Sequence, residues 1–350
     1  MIFASDNTGP AHPKVMEAVM RANEGYAMPY GNDPIMPDVT AKLRALFEAP
    51  EASVHLVSTG TAANSLALAC LANPWDAIFC HRVAHVEMDE CGAPEFYSNG
   101  AKLTLVDGED AKMTPEGLRS AIEQTGDKGV HGVQRGPVTI TNITEVGTVY
   151  SLAEIKALTD VAKEFGLKTH LDGARFANAC AALGCTPAEM TWKAGIDAVS
   201  FGGTKNGCMA VEAVIFFDPA QSWEMELRRK RGAHLWSKHK YMSAQMDAYV
   251  TDGLWLKLAQ DANDHCARLT DAIRALPGAS LAHEPAGNMI FAELPRAAHR
   301  RAMEAGAQYY LFPFSATLEG PDDEPVLCRL VTDWSCSSES VDQITALWRG

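Results

Sequence analysis

Residues 197–218 read DAVSFGGTKNGCMAVEAVIFFD and place a single lysine, Lys205, between two apolar runs. The runs AVSF and AVEAVIFF are rich in β-branched and aromatic residues, which predicts two short buried strands. The linker GGTKNG has the composition of a turn, and loops at strand ends often carry catalytic side chains. Two interpretations follow: Lys205 is a solvated lysine of a hairpin loop, or it acts on a ligand.

The composition limits the classes of protein to be considered. The chain has 350 residues, of which 47% are hydrophobic and 21% charged, as expected for a globular protein of two domains. Its net charge of −14 argues against nucleic-acid and anionic-membrane partners and favours a cytoplasmic protein. The first residues, MIFASDNTG, do not resemble a signal peptide, and no apolar run is long enough to span a bilayer. The nine cysteines are dispersed, which predicts reduced thiols and no metal site.

The order of apolar runs predicts an α/β fold. From about residue 53 to 217, short apolar runs alternate with amphipathic helical stretches, which indicates a mostly parallel sheet flanked by helices. A long basic helix with a break at Gly232 is expected next, followed by two helices and the short strands MIFAEL, YYLFP and VLCRLVT. We therefore predict a large domain over residues 1–248 and a smaller C-terminal α+β domain over residues 249–350.

Several side chains follow predicted strands and are expected to meet at one edge of the sheet. In STGTAAN, Gly60 and Thr61 stand at a strand-to-helix turn, where free backbone N–H groups could bind a phosphate. The alternative is an ordinary helix cap formed by Ser58 or Thr59. The motif alone does not separate the two.

Two further candidates have both a chemical and a structural interpretation. Asp172 directly follows the predicted strand LKTHL, where an acid could keep a pyridine nitrogen protonated. It could equally cap a helix that begins near Ala174. His85 is a single histidine near a predicted helix start, and is either structural or catalytic.

Arg329 lies inside the apolar strand VLCRLVT, where an unpaired charge would be costly. It therefore requires a carboxylate, which belongs either to the protein or to a substrate. A lysine able to form a Schiff base, an acid for a pyridinium nitrogen, a helix start for a phosphate and an arginine for a carboxylate together indicate a pyridoxal 5'-phosphate enzyme.

The chain resembles the low-specificity L-threonine aldolases among the aspartate-aminotransferase-like (fold type I) pyridoxal-phosphate enzymes. The resemblance covers nearly the whole chain, and its specificity comes from the order and spacing of its motifs. These motifs are SDNTG (5–9), YGNDP (30–34), STGTAAN (58–64), AHVEMDECGA around His85, HLDGARFANA (170–179), GGTKNG around Lys205 and CRLVTDW (328–334). The resemblance implies a seven-stranded type of sheet in the large domain.

The resemblance also implies roles for individual residues. Lys205 would carry pyridoxal 5'-phosphate as a Schiff base, Asp172 would pair with the pyridine nitrogen, and His85 would stack on the ring and take part in proton transfer. The phosphate would be held by Gly60, Thr61, Thr204 and Lys230, with Arg231 and Lys238 as alternatives to Lys230. Arg175 would lie at the cofactor and, with Ser5 and Arg329, hold the substrate carboxylate. Tyr30 would come from the neighbouring subunit of a homodimer or homotetramer with active sites at the dimer interface.

One stretch departs from the family pattern. Well-known members carry ENTHNG after the central strand, whereas this chain has TNITEVG, with Glu145 in place of the histidine. Glu145 is then a base for the β-hydroxyl, a hydrogen-bond partner that orients His85, or a loop residue. The resemblance implies cleavage of L-threonine, L-allo-threonine or related β-hydroxy-α-amino acids to glycine and an aldehyde, and a place in glycine biosynthesis. A β-eliminating lyase that uses the same cofactor and a non-catalytic cofactor-binding protein are the alternatives.

Overall fold

The computed structural model describes all residues from 1 to 350. The strands predicted on either side of Lys205 form an antiparallel hairpin, in which Ala198 pairs with Phe216 and Gly202 pairs with Glu212. Both strands are buried along their whole length, as their β-branched and aromatic composition predicts. Lys205 lies in the turn that joins them.

This hairpin belongs to a seven-stranded sheet. Its strands are β1 (Ser53–Val57), β2 (Asp76–His81), β3 (Lys102–Val106), β4 (Gln134–Thr141), β5 (Thr169–Gly173), β6 (Ala198–Gly202) and β7 (Glu212–Phe216). Their order in the sheet is β1-β7-β6-β5-β4-β2-β3. The four neighbouring pairs from β6 to β3 are parallel, whereas β7 runs antiparallel to both β1 and β6. The prediction of a mostly parallel sheet is confirmed, and β7 is the exception because a short turn can join only antiparallel strands.

Helices flank this sheet and connect its strands. They are α1 (Pro13–Ala22), α2 (Met36–Leu46), α3 (Gly60–Leu71), α4 (His85–Met88), α5 (Ala93–Tyr97), α6 (Pro115–Gln124), α7 (Leu152–Glu164), α8 (Phe176–Leu183), α9 (Pro187–Met190), α10 (Ser222–Arg231) and α11 (Lys240–Val250). Short 3-10 turns lie at Glu109–Ala111, Gly129–His131, Trp192–Ala194, Thr204–Asn206, Pro219–Gln221 and Thr251–Gly253.

The C-terminal part of the chain contains α12 (Leu254–Arg274), β8 (Ser280–Leu281), β9 (Met289–Pro295), α13 (Arg296–Glu304), β10 (Tyr310–Phe312), β11 (Pro325–Val331) and α14 (Ser338–Arg349). Its four strands form a smaller, antiparallel sheet in the order β10-β11-β9-β8. None of the helices in the protein combines the length and apolar composition that crossing a membrane requires.

Three helix predictions differ from the structure. The basic helix ends at Arg231, and helical structure resumes only at Lys240, so the break is longer than one glycine. The stretch after His85 forms α4 and α5 rather than one helix, because Cys91 and Gly92 have φ of 53° and 72°. The two helices expected after Tyr249 are one helix of 21 residues, α12.

The two largest of four hydrophobic clusters belong to the two sheets. Helix α12 contributes to both, with Leu258 in the larger core and Leu269 in the smaller one. Phe3 also packs into the smaller core, so the N-terminal segment lies against the C-terminal sheet. The domain boundary between residues 248 and 249 falls two residues before the end of α11 and stays a prediction.

Candidate active site

A cavity of about 260 Å³ lies at the ends of β1, β5 and β6, where an α/β sheet usually binds its ligands. Its walls come from strand-end turns and from the starts of α3 and α4. It brings together five of the residues that the sequence singled out. The lining residues are Asn7, Ser58, Thr59, Gly60, Thr61, Asn64, His85, Ala174, Thr204, Lys205 and Glu212.

The turn that carries Lys205 is fixed by the hydrogen bonds of the next residue, Asn206. The buried side chain of Asn206 donates hydrogen bonds from Nδ2 to the Tyr249 hydroxyl and to the Trp255 carbonyl, both at 2.7 Å. Gly207 follows with φ of 97°, which a residue with a side chain rarely adopts. The charge of Lys205 acts on two buried carboxyls, those of Asp6 and Glu212. Lys205 therefore faces the cavity and is not a solvated hairpin lysine.

The start of α3 combines a helix cap with an open pair of donors. Thr59 is the N-cap, and its hydroxyl accepts a hydrogen bond from the Ala62 N–H at 3.2 Å. The N–H groups of Gly60 and Thr61 have no acceptor in the protein. A Cβ built on Gly60 meets nothing within 4 Å, so the backbone is open to a ligand at this point. The cap interpretation is therefore right for Thr59 and leaves an anion site beside it.

Asp172 is buried near the end of β5 and does not cap a helix. Its Oδ1 accepts from the Ala174 N–H at 3.0 Å, and its Oδ2 accepts from Asn64 Nδ2 at 2.9 Å. Helix α8 begins only at Phe176, with Arg175 at the cap position. The helix-cap interpretation of Asp172 is therefore wrong, and its carboxylate is fixed beside the cavity by Asn64.

His85 has a buried carboxylate as its hydrogen-bond partner. Its Nδ1 lies 2.8 Å from Glu90 Oε1, and Asn64 Nδ2 donates to the same oxygen at 2.9 Å. A continuous polar chain thus runs from His85 through Glu90 and Asn64 to Asp172. The suggestion that Glu145 orients His85 is therefore wrong: the orienting residue is Glu90, five positions further along the motif AHVEMDECGA.

The pKa values in this chain follow from burial and charge. Burial lowers the pKa of His85, but the hydrogen bond that it donates to Glu90 and the charges of Asp172 and Glu145 outweigh burial, so the pKa is raised. Burial and the charge of Asp172 raise the pKa of Glu90, against its bonds to His85 and Asn64. The His85–Glu90 pair therefore holds a proton more firmly than a free imidazole does.

Arg175 forms a buried ion pair. Its Nε lies 2.7 Å from Asp6 Oδ2 and its Nη2 lies 3.0 Å from Asp6 Oδ1. Asn288 Nδ2 also donates to Asp6 Oδ2 at 3.0 Å. Burial raises the pKa of Asp6, but the charges of Arg175 and Lys205 dominate together and hold it below its usual range. Two of the three guanidinium nitrogens of Arg175 are thus already in use.

Arg329, in β11, has no carboxylate partner in the protein. Its Nη2 donates to the Ala4 carbonyl at 3.3 Å, and its guanidinium lies 5.2 Å from the Tyr310 ring centre and 5.8 Å from that of Phe312. Its buried Nε has no hydrogen-bond partner. Burial and the charge of Arg175 lower its pKa. The interpretation of Arg329 as part of an internal ion pair is therefore wrong. Arg175 and Arg329 lie close enough for their charges to interact, and together they favour the binding of an anion.

Glu145 and Ser5 lie at the edge of this region. The charge of Glu145 acts on His85, Arg175 and Arg329, which places its half-buried carboxylate among them. Ser5 follows the Ala4 carbonyl that Arg329 contacts, and its hydroxyl accepts from the Asn7 N–H at 3.1 Å.

Lys230 and Tyr30, which were also predicted as site residues, lie on the surface of this chain. Lys230 is exposed and places its Nζ 4.7 Å from the ring centre of Tyr30, which is also exposed. Neither lines the cavity, and the same holds for Arg231 and Lys238. Sequence reasoning also missed four residues of the site: Asp6, Asn64, Glu90 and Glu212.

Comparisons with known proteins agree with this geometry. The family model for beta-eliminating lyases matches residues 3–295, and the chain belongs to this family. It is 43% identical to the low specificity L-threonine aldolase of Pseudomonas sp. (strain NCIMB 10558), over 89% of each chain. It is 42% identical to the enzyme of the same name from Pseudomonas aeruginosa, again over 89% of each. The solved structure of Leishmania major threonine aldolase is 27% identical and superimposes with a TM-score of 0.91, covering 99% of this chain and 98% of that one.

Proposed function

We propose that this protein is a pyridoxal-phosphate-dependent L-threonine aldolase, which cleaves L-threonine, L-allo-threonine and related β-hydroxy-α-amino acids to glycine and an aldehyde. The observation that carries the proposal is the position of Lys205. Its side chain faces a cavity with free helix N–H groups on one side and the His85–Glu90–Asn64–Asp172 chain on another. The names of the relatives support the same reaction.

The residues around the cavity fit pyridoxal phosphate. The unpaired N–H groups of Gly60 and Thr61 suit its phosphate, and the Thr204 hydroxyl lines the same space. The carboxylate of Asp172 suits a hydrogen bond with the pyridine nitrogen. The buried Oδ1 of Asn64, whose Nδ2 holds Asp172, has no hydrogen-bond partner in the protein. When bound, pyridoxal phosphate supplies an aldehyde that condenses with amines and a ring that accepts the electrons of a breaking Cα–Cβ bond.

Arg329 is the residue we assign to the substrate carboxylate. It is partly buried, carries no carboxylate partner, and is held in place by Ala4 and two aromatic rings. Arg175 is fixed by Asp6, so we assign it a supporting role through its remaining nitrogen, with Ser5 beside it. A bidentate arginine–carboxylate contact orients the amino acid before any bond is broken.

Proton movement at the substrate is assigned to three groups. With the cofactor bound, the Lys205 amine would exchange places with the amine of the substrate, and it would return a proton to Cα before glycine leaves. His85 carries its proton on Nδ1 toward Glu90, which directs Nε2 to the cavity as an acceptor. Glu145, near His85 and the two arginines, is the candidate base for the β-hydroxyl, directly or through one water.

We also infer that the protein works in the cytoplasm as a homodimer or homotetramer and supplies glycine. Tyr30 and Lys230 stand together on the surface, away from the cavity of their own chain, which suits a contribution to the site of a neighbouring subunit. Tyr26, Met28 and Met209 are exposed apolar side chains that a partner subunit would cover. Light scattering of the purified protein tests the assembly, and a monomer at micromolar concentration would contradict it.

The reaction is tested by its products. The purified protein, loaded with pyridoxal phosphate, is incubated with L-threonine, L-allo-threonine or phenylserine, and glycine and aldehyde are quantified. We expect equal amounts of both, and loss of both in Lys205→Ala. The family description favours a β-eliminating lyase as the second candidate, which would release ammonia and a 2-oxo acid instead. A protein that binds the cofactor and forms neither set of products would be a non-catalytic binding protein.

A further inference from the structure

Glu212 is a buried carboxyl that the proposed mechanism does not use. It is the first residue of β7, is 6% exposed, and lines the cavity together with Lys205. A buried carboxyl is costly unless it is paired or hydrogen-bonded, so a buried carboxyl in the cavity lining needs a chemical explanation.

The sheet register places Glu212 between the two turns that form the site. It lies opposite Val57 of β1 and opposite Gly202 of β6. Val57 directly precedes the turn that opens α3, and Gly202 lies three residues before Lys205. Val214, two positions along β7 and on the same face, packs beneath α3. Glu212 therefore lies beneath the helix start that we assign to the phosphate.

Short contacts hold the carboxyl in this place. Its Oε2 accepts from the Gly203 N–H at 2.7 Å, and Thr204 also hydrogen bonds to the carboxyl. Thr204 is itself tied to the next strand, because its Oγ1 accepts from the Val211 N–H at 3.2 Å. Moving the carboxyl away from the cavity would break its hydrogen bonds to Gly203 and Thr204, which belong to the turn that carries Lys205.

Few charged groups lie near Glu212. Lys205 is the cation that acts on it, while Cys208 and Tyr249 are buried groups whose pKa values are raised well above normal, so both are neutral. Helix α3 has no charged side chain, and on α10 Glu226 pairs with Arg229 and His55. His85 lines the same cavity, where its Nδ1 is paired with Glu90. Burial raises the pKa of Glu212 to about 7, although Thr204, Gly203 and Lys205 act in the opposite direction.

We propose that Glu212 takes up a proton when the phosphate of pyridoxal phosphate binds at the start of α3. The inference rests on the proposed function. A carboxylate and a phosphate beneath one helix start repel each other, whereas a protonated carboxyl donates its O–H to a phosphate oxygen. The proton comes from solvent, and no covalent bond is made or broken. Cofactor binding to this chain is therefore linked to pH through a residue that performs no step of the cleavage.

The test compares binding of pyridoxine 5'-phosphate, which lacks the aldehyde, to the full-length protein freed of cofactor. Affinity is measured by tryptophan fluorescence at pH 6 and pH 8.5 for the wild type, Glu212→Gln and the control Glu164→Gln. Glutamine keeps an acceptor for the Gly203 N–H, and Glu164 is an exposed carboxylate on α7. The titration of the ligand itself cancels between the proteins.

If only the protonated form of Glu212 binds, the wild type loses about 30-fold in affinity between these pH values relative to Glu212→Gln. Glu164→Gln follows the wild type. Parallel pH dependence in the wild type and Glu212→Gln overturns this inference alone, whereas no binding to any of the proteins overturns the proposed function and this inference with it.

Infrared difference spectroscopy of the wild type supplies a readout that does not depend on the variant folding. Ligand binding at pH 8 should produce the carbonyl stretch of a protonated carboxyl. Absence of this band contradicts the proposal.

Discussion

Replacing Glu90 by glutamine removes a charge from the site while keeping its hydrogen bonds. The amide oxygen of glutamine can still accept from His85 Nδ1, 2.8 Å away in the wild type, and from Asn64 Nδ2. A hydrogen bond to a charged partner contributes about 1.5 kcal/mol more than a neutral one. The proton-binding constant of His85 should therefore fall roughly tenfold.

The direction of the pH effect follows from the raised pKa of His85. Loss of the Glu90 charge lowers this pKa, so the neutral imidazole is present at lower pH. The acidic limb of the kcat profile should move to lower pH in Glu90→Gln. The maximal rate should fall by less than about tenfold, because a weaker base accepts a proton less readily and the proton is only partly transferred in the transition state.

Two assays check this prediction. Nitrogen-15 NMR of the imidazole follows the titration of His85, with His85→Asn used to assign the signal, and steady-state kinetics give the kcat profile. Asp89→Asn is the matched control, because it removes a neighbouring carboxylate that is exposed to solvent. An unchanged titration midpoint in Glu90→Gln would refute the argument that this carboxylate sets the proton affinity of His85.

Four further substitutions test separate parts of the account. Asp172→Asn should retain the cofactor, as measured by its absorbance, but should lower kcat by about 100-fold. Near-normal turnover would show that Asp172 has no role in the reaction. Arg329→Lys should raise KM for threonine by about tenfold with the fold intact, whereas normal kinetics in a destabilised protein would make Arg329 structural. Glu145→Gln should lower kcat with little change in KM, and a full rate across the pH profile would make it a loop residue. Thr59→Ala should lower the free energy of unfolding by about 1 kcal/mol in urea titrations, and no loss would contradict its capping role.

The fold was predictable because its signals are local. Each strand of the large sheet is a short apolar run beside a turn, and the hairpin around Lys205 shows this most clearly. The break between α4 and α5 was not predictable, because left-handed backbone at Cys91 carries no strong sequence signal. The site residues at strand ends followed from the same local reasoning, since parallel strands end at one edge of the sheet.

The partners of these residues depend on packing between distant segments. Asp6 meets Arg175 across 169 positions, and Asn64 meets Asp172 across 108. No spacing rule predicts such pairs, so sequence reasoning found each arginine and histidine but not the group that holds it. Tyr30 and Lys230 show a different limit: a single chain places them together on its surface, and their contribution to the site of a partner subunit stays a prediction.

We propose that Lys205 carries pyridoxal phosphate covalently in the cavity where threonine is cleaved. Borohydride reduction of the cofactor-loaded protein, followed by peptide mass spectrometry, tests it most directly. We expect one cofactor per chain, attached to the peptide that contains Lys205, and no attachment in Lys205→Ala. Attachment to another lysine such as Lys230, or continued labelling of the Lys205→Ala protein, would contradict it.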